Sequence, residues 1–378
     1  VICGPTAGGK SDLAVAVALR AREVFGCAAE IVTADAFQVY RGMDIGTAKP
    51  TEEERRGVVH HLIDVVDPRG GGRGTGSRPV QGREAHGQDA RGTGQFTVDD
   101  WLALARATIA DIRSRGRLPI VVGGTHLYIK ALLDGLFEGP EPDAALRAEL
   151  MAMDPAARRA ELERVDPDAA ARIHANDVRR TVRALEVFRL TGKPISTHQK
   201  QWDRRSMSSP TISSPSVSEG ARGQGAKSGA APGGSAFGGD ALPPPDGRAA
   251  YQLIILDWEP EALNRRINAR VKQMMERGLL DEVRTLHDSG ALVPGSQAAE
   301  ALGYKQLLAH LRDPAALPLE DAVEKIKIET RRFGKNQRTW LRRLRTTPGA
   351  MAIGMPGTTQ AEAVERILTA LRSPPVTS

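Results

Sequence analysis

The stretch GPTAGGKS, residues 4–11, constrains the fold more than any other feature of the chain. Gly4 and Gly9 stand at the G-x-x-x-x-G-K-[ST] spacing, with Lys10 and Ser11 after them. β-prone Val1, Ile2 and Cys3 come before the loop and an alanine- and leucine-rich helical stretch comes after it. A loop in this context surrounds phosphate oxygens with main-chain N–H groups, because the first amides of a helix lack intrahelical partners and the helix dipole favours an anion there. Lys10 then reaches a terminal phosphate and Ser11 offers a hydroxyl to Mg2+. A glycine-rich turn that binds nothing is the bland alternative, disfavoured because strand, loop, Lys-Ser and helix occur in one run. The loop specifies a polyphosphate without specifying a nucleoside triphosphate.

Strands and helices alternate after it. EIVTAD (30–35), HHLIDVVD (60–67) and LPIVVGG (118–124) read as strands, and VDDWLALARATIADIRSRG (98–116) as an amphipathic helix. A phosphate loop behind the first strand of such a series predicts an α/β fold, a P-loop NTPase-like parallel sheet core with its site at the strands' C-terminal edge. Residues 1–135 form the first part of this core, with 69–95 a Gly-rich flexible insertion. Residues 136–202 read as a helical insertion, and 203–249 as a low-complexity flexible loop rich in Gly, Ser and Pro. Residues 250–345 return to the core, with NRRINARVKQMMERGLLDEVRTL (264–286) at helical spacing, and 346–378 read as a C-terminal extension.

The 378 residues and 40% hydrophobic content supply a sizeable core, and no run of 18 apolar residues suggests a membrane span. Cys3 and Cys27 are too few for a disulfide scaffold or a four-thiolate zinc site, so a reducing cytoplasm is the expected setting. The formal charge of +6 permits a nucleic-acid partner without demanding one. Its distribution says more. IKIETRRFGKNQRTWLRRLR (326–345) gathers eight cations against Glu329, and Arg331, Lys335, Arg338 and Arg342 share one helical face. Beside a pyrophosphate site this face reads as anion- or RNA-facing, with a merely solvated helix as the alternative.

DAFQVYRGMDIGTAKP (35–50) follows a hydrophobic strand with a run of polar side chains. Asp35 has the chemistry to accept a proton or orient an amine, Gln38 to hydrogen-bond a base edge, and Tyr40 to stack or donate. The alternative for Asp35 is a capped turn. Thr47 and Lys49 add contacts to phosphate or to backbone. In GGTHLY (123–128), Thr125 either caps the helix it opens or meets a phosphate held by the neighbouring loop. No Walker-B carboxylate follows that strand, although Asp257 at the end of LIILD keeps a nucleotide-hydrolysing reading open.

With these residues in view the chain resembles the tRNA dimethylallyltransferase (IPP transferase) family. The motifs occur in order: GPTAGGKS, DAFQVYRGMDIGTAKP, HHLID (60–64), GGTHLYIKALLDG (123–135), IHANDVRRTVRALEV (173–187), LGYKQL (302–307) and TRRFGKNQRTW (330–340). The resemblance covers nearly the whole chain to about residue 345, outside the two low-complexity tracts. It implies transfer of a dimethylallyl group from dimethylallyl diphosphate to N6 of adenosine-37 in tRNAs reading codons that begin with U. The implied protein is a cytoplasmic monomer that uses Mg2+, takes the tRNA anticodon stem-loop as partner and needs no membrane.

Residue by residue, the resemblance makes Asp35 the base on the N6 amine and Thr125 the threonine near the bridging diphosphate oxygen. Gly4, Thr6, Ala7, Gly8, Gly9, Lys10 and Ser11, with Arg332 and Lys335, bind diphosphate, and Ser11 also binds the metal. Gln38, Val39, Tyr40, Arg183, Arg331, Gln337 and Arg338 face the tRNA. Departures from the family pattern are Gly8 where Ser is usual, Ala36 after the aspartate where Ser is frequent, and Asn336 where Arg is usual. Competing classes are a prenyltransferase acting on free AMP, ADP or ATP, a P-loop small-molecule kinase, and a noncatalytic RNA-binding module. The helical insertion and basic helix weigh against the first, the missing Walker-B carboxylate against the second, and Lys10, Ser11, Asp35 and Thr125 together against the third.

Overall fold

The structure is a computed structural model that describes residues 1–69, 96–136, 139–197 and 251–372. The tracts read above as flexible, 69–95 and 203–249, lie outside the described residues except for Arg69. Described residues within 1–133 and 236–378 form one compact unit, and those within 134–235 form a second.

The first unit is an α/β fold on a six-stranded parallel sheet in the order β3-β2-β4-β1-β5-β6. The strands are β1 (Ile2–Cys3), β2 (Ala29–Ala34), β3 (His60–His61), β4 (Leu118–Gly123), β5 (Ile254–Trp258) and β6 (Met351–Met355). Helices α1 (Lys10–Phe25), α2 (Glu52–Arg55) and α3 (Val98–Ser114) lie between the first four strands in sequence, and α4 (His126–Asp134) follows β4. Central β2 is buried at every position, as befits a parallel strand covered on both faces. Gly123 is required where β4 meets β2, since a Cβ there would lie 2.0 Å from the Ala34 carbonyl oxygen. Thr97 opens α3 through a capping box with Asp100, and Trp101, fully buried on that helix, donates its indole N–H to the Thr33 carbonyl.

Three expectations change. The HHLIDVVD strand is only two residues long, because Leu62 (φ 61°) and Asp64 (φ 57°) take left-handed backbone and leave the ladder. The helical stretch 264–286 is two helices, α9 (Pro260–Glu276) and α10 (Leu279–Asp288), divided at Gly278 with φ 92°. The segment after residue 345 is part of the sheet: β6 pairs with β5 from Ile254↔Met351 to Trp258↔Met355. Helix α13 (Gln360–Arg372) then buries Ala363, Val364, Ile367 and Leu368 in the cluster that also holds Leu13, Ala14 and Val17 of α1. Between these lie α11 (Tyr304–Arg312) and the basic α12 (Leu319–Leu344).

At the sheet edge opposite the phosphate loop, buried Glu30 of β2 accepts from Arg115 (2.5 Å), Arg117 (2.5 Å) and His61 (2.7 Å). These hydrogen-bond donors, Arg115 foremost, hold its carboxyl down at about 2 against the cost of burial.

The second unit is helical over its described residues, as its sequence pattern predicts: α5 (Ala144–Ala152), α6 (Pro155–Val165), α7 (Pro167–Arg172) and α8 (Val178–Thr191). An aspartate opens each helix, with the side chains of Asp143, Asp154, Asp166 and Asp177 accepting from the amide three residues on. Leu150, Leu162, Leu185 and Val187 form its core.

Candidate active site

Three loops meet at the C-terminal edge of the sheet. The first, between β1 and α1, turns through left-handed Ala7 (φ 57°) and Gly9 (φ 75°), the alternation that turns successive amides toward one side. Gly9 opens α1 without a side-chain cap, so the first-turn amides have no side-chain oxygen from that position. The Trp258 indole N–H donates to Gly8 O at 3.1 Å, and a Cβ at Gly8 would lie 2.8 Å from Pro5 O. That geometry suits the glycine this chain has there. Lys10 Nζ donates to Pro5 O at 2.7 Å and so spans the loop. Burial brings the Lys10 ammonium down to about 8, with Arg270 adding to the effect and Asp35 and Cys3 opposing it.

The second loop follows β2. Asp35 is half-buried, and its Oδ1 accepts from the amides of Phe37 (2.9 Å) and Gln38 (3.3 Å), so the capped-turn alternative is realised. Oδ2 takes no part in that turn. The third loop follows β4. Thr125 does not turn its side chain to its own helix; its Oγ1 accepts from Ala36 N at 3.0 Å. The hydroxyl proton remains to be donated. Asp35 and Thr125, 90 residues apart in the chain, are thereby set on adjoining loops, with the Asp35 charge felt by Lys10.

Much of the 35–50 segment is spent on holding its own shape. Gln38 is buried, and its Nε2 donates to Thr47 O (3.2 Å) and Ala48 O (3.1 Å). Val39 is fully buried, and Tyr40 is buried with its hydroxyl 3.2 Å from Gln297. Lys49 is buried too and donates to Tyr40 O, Asp44 and Asp64, while Thr47 donates to Met43 O. The roles of Thr47 and Lys49 are thus with backbone and carboxylate. Gln38, Val39 and Tyr40, which the resemblance turns toward tRNA, are buried: the Gln38 amide closes this turn, and Val39 and Tyr40 join a hydrophobic cluster, the Tyr40 hydroxyl meeting Gln297. Glu282 of α10 pins the segment from outside, accepting from the amides of Asp44, Ile45 and Gly46 and from the Tyr304 hydroxyl at 2.6 Å.

Helix α12 packs on the phosphate loop through Gly334, where a Cβ would stand 3.3 Å from Ile267 and 4.0 Å from the Thr6 methyl. On this helix Arg332 and Lys335 are exposed, and Arg331 donates to Asn268 at 2.7 Å. Gln337 differs from the role the resemblance gives it. It is 2% exposed, its Oε1 accepts from Thr6 N at 2.7 Å, and its Nε2 donates to Gly124 O at 2.9 Å, so neither end is turned to a tRNA. Arg338 Nε and His126 Nε2 are buried and have no hydrogen-bond partner among the described residues. The His126 ring stacks on Trp340 at 4.6 Å, and burial lowers its pKa to about 4. In the helical unit Arg183 donates to Glu186 (2.6 Å) and Pro140 O (3.0 Å).

Sequence reasoning missed two arginines of α9. Arg266 donates to Ala7 O at 2.7 Å and lies over the Trp258 ring, and Arg270 shares the electrostatic environment of Lys10, Asp35 and Asp12. Their i, i+4 spacing was visible, but nothing local tied α9 to a loop some 250 residues earlier. Asp257, the carboxylate that left a nucleotide-hydrolysing reading open, is paired with Arg345.

A family profile described as IPP transferase matches residues 38–71, 89–219 and 233–344 of the chain. Among curated relatives, the tRNA dimethylallyltransferase of Bacillus licheniformis is 38% identical, the match covering 90% of this chain and 87% of that one. The tRNA dimethylallyltransferase of Thermobifida fusca is 39% identical, covering 90% and 86%. A crystal structure of a tRNA isopentenylpyrophosphate transferase from Bacillus halodurans superposes with a TM-score of 0.57 at 32% identity, covering 98% of this chain and 94% of that one.

Proposed function

The chain belongs to the IPP transferase family, and from that premise we propose that it transfers the dimethylallyl group of dimethylallyl diphosphate to N6 of adenosine-37 in the anticodon stem-loop of tRNA, releasing diphosphate. The observation that carries the reading is the bond from Ala36 N to Thr125 Oγ1, which joins the Asp35 loop to the loop beside Lys10. The parallel sheet with a phosphate loop behind its first strand supports kinship with the P-loop NTPase fold.

In this reading the N6 lone pair attacks the allylic C1 as the C1–O bond breaks, and the leaving diphosphate takes the bonding electrons. Loop amides, Lys10 and Arg270 stabilise the charge growing on that diphosphate, and the Thr125 hydroxyl donates to its bridging oxygen. Adenine N6 is a weak nucleophile, its lone pair being delocalised into the ring. Asp35 orients the amine and takes its proton as the new C–N bond forms. Turning the adenine out of the RNA stack costs a few kcal/mol and least in a loop.

Mg2+ fits the donor set. Ser11 would supply one oxygen ligand beside Lys10 and the bound diphosphate would supply others; among the described residues no group of three or more His, Cys, Asp or Glu could hold a metal. When bound it supplies charge neutralisation to the leaving group. Arg332 and Lys335, exposed on α12, serve the diphosphate or the RNA backbone, and Arg331 and Arg338 are offered to the RNA from the same helix. Arg183 acts in the helical unit by holding its Glu186 network. Among the described residues no helix is long and apolar enough to cross a membrane. A cytoplasmic setting and a monomeric state are proposed on the family resemblance.

The test is a competition between an anticodon stem-loop carrying A36-A37-A38 and AMP for labelled dimethylallyl diphosphate, at two salt concentrations, with the product mapped by mass spectrometry. Transfer to the stem-loop should exceed transfer to AMP by at least about 10²-fold and fall steeply with salt, since many backbone contacts release counterions. An A37-to-G change should abolish it. Preferential labelling of AMP would support the adenylate prenyltransferase reading instead, and a strict need for ATP the kinase reading.

A further inference from the structure

We propose that Gln337 is a positioning residue that ties the diphosphate loop to the acceptor side of the site, so that donor and amine are held in register through one buried amide. The inference rests on the prenyl-transfer reading above and deepens it.

Its basis is a continuous chain of hydrogen bonds across all three loops. Thr6 N donates to Gln337 Oε1 at 2.7 Å, and Gln337 Nε2 donates to Gly124 O at 2.9 Å. The next residue, Thr125, donates its own amide to Ala34 O (3.3 Å) and accepts from Ala36 N through Oγ1 (3.0 Å). Asp35 lies between those two partners. One side chain therefore connects the loop that would cradle the leaving group to the strand end that would hold the base, across more than 200 residues of sequence.

The amide suits the task by its asymmetry. It meets one main-chain donor and one main-chain acceptor, which a carboxylate or an ammonium could not do equally well. Gln337 itself is 2% exposed, and its partners Thr6 and Gly124 are partly buried, so a lost bond leaves a partly buried peptide group unsatisfied. The fit is close: a Cβ at Gly124 would stand 2.8 Å from Gln337 Nε2 and 3.5 Å from Lys10 Nζ, so Gln337, Lys10 and the 124 backbone converge on one point. Gln337 is also a neighbour of Gly334, through which α12 approaches Thr6, so the helix that carries the cations is anchored where its amide works. A reaction in which C1 and N6 must meet at near-contact distance is sensitive to displacement of either loop.

The experiment compares Gln337→Met, close in volume but without either hydrogen bond, Gln337→Glu, which keeps only the acceptor, and Gly124→Ala, which pushes on the same contact from the other side. Each is assayed for pyrophosphate binding, stem-loop binding and single-turnover transfer at saturating RNA, with a thermal melt as a check on folding. The expected result is a 10- to 100-fold slower transfer step in all three, with stem-loop affinity within about threefold of the parent. Gln337→Met combined with Gly124→Ala should be no slower than about the worse single variant, because the contact that Gly124→Ala disturbs is already absent in Gln337→Met. Should Gln337→Met fail to fold, Gly124→Ala and Gln337→Glu carry the same comparison.

A parent-like transfer rate in the folded variants would overturn the proposal. So would a loss of stem-loop affinity with the saturated rate intact, since that marks a direct RNA contact, or full additivity in the double variant. A parent protein that transfers nothing to the stem-loop would instead refute the functional reading, a distinguishable result.

Discussion

Asp35 uses one carboxylate for two tasks. Oδ1 closes the turn through the amides of Phe37 and Gln38, and in the proposed reaction Oδ2 meets the substrate amine. The division makes Asp35→Asn a clean probe, because the amide oxygen still accepts both turn bonds while the proton acceptor is lost. Single-turnover transfer should fall by roughly 10²-fold or more with stem-loop binding almost unchanged, and a rate near the parent's would remove Asp35 from the chemistry. The neighbouring residues show how little room this turn leaves. Lys49 pairs with both Asp44 and Asp64 while donating to Tyr40 O, and Glu282 accepts three amides of the following turn. The aspartate stands on a loop held by charge pairs and main-chain bonds, which suits the proton acceptor proposed for it.

At the level of elements, Glu30 joins β2 to the edge strand β3 through His61 and to the entry of β4 through Arg115 and Arg117. Its carboxyl is lowered from 4.5 to about 2 in the folded protein, chiefly by the bond with Arg115, so it binds its proton more readily when unfolded. The stabilisation is therefore complete above the ordinary carboxylate range and is lost as pH falls through that range toward 2. Glu30→Gln should lower stability at pH 7 by about 1–3 kcal/mol, the scale of a hydrogen bond to a charged group. Denaturant titrations of the two proteins should converge as the pH is lowered toward 3; a constant gap from pH 7 to 3 would mean that the network contributes nothing through its charge. Because Glu30 lies at the sheet edge away from the phosphate loop, the transfer rate of the folded variant should stay within about twofold of the parent's.

For the whole molecule, the segment beyond residue 345 tests what the fold needs. It carries none of the proposed site residues, yet β6 closes one side of the sheet and α13 covers α1 with Val364, Ile367 and Leu368, while Ile353 is fully buried. Exposing four such side chains costs on the order of 6–12 kcal/mol as an upper bound, comparable to the entire stability of a domain. A chain ended at Arg345 should therefore lose its cooperative thermal transition and, with it, diphosphate binding. A sharp melt within a few degrees of the parent's would instead show that the remaining five strands stand alone.

How much of this was legible depended on the range over which the physics acts. The phosphate loop, the strand-helix alternation and the helical insertion are written in neighbouring residues, since a left-handed glycine and a hydrophobic period act within a few positions. Ordered motifs added the site's membership, with Asp35 and Thr125 at two strand ends. Left to the tertiary structure were the break at Gly278 in a helical pattern, the sixth strand in a short apolar run, and the approach of Arg266 and Arg270 to the phosphate loop. Gln337 marks the boundary most clearly. The family resemblance makes this glutamine one more RNA contact, and only the folded chain, bringing Thr6 and Gly124 to either end of its amide, turns it inward, because a buried amide must find partners wherever the packing supplies them.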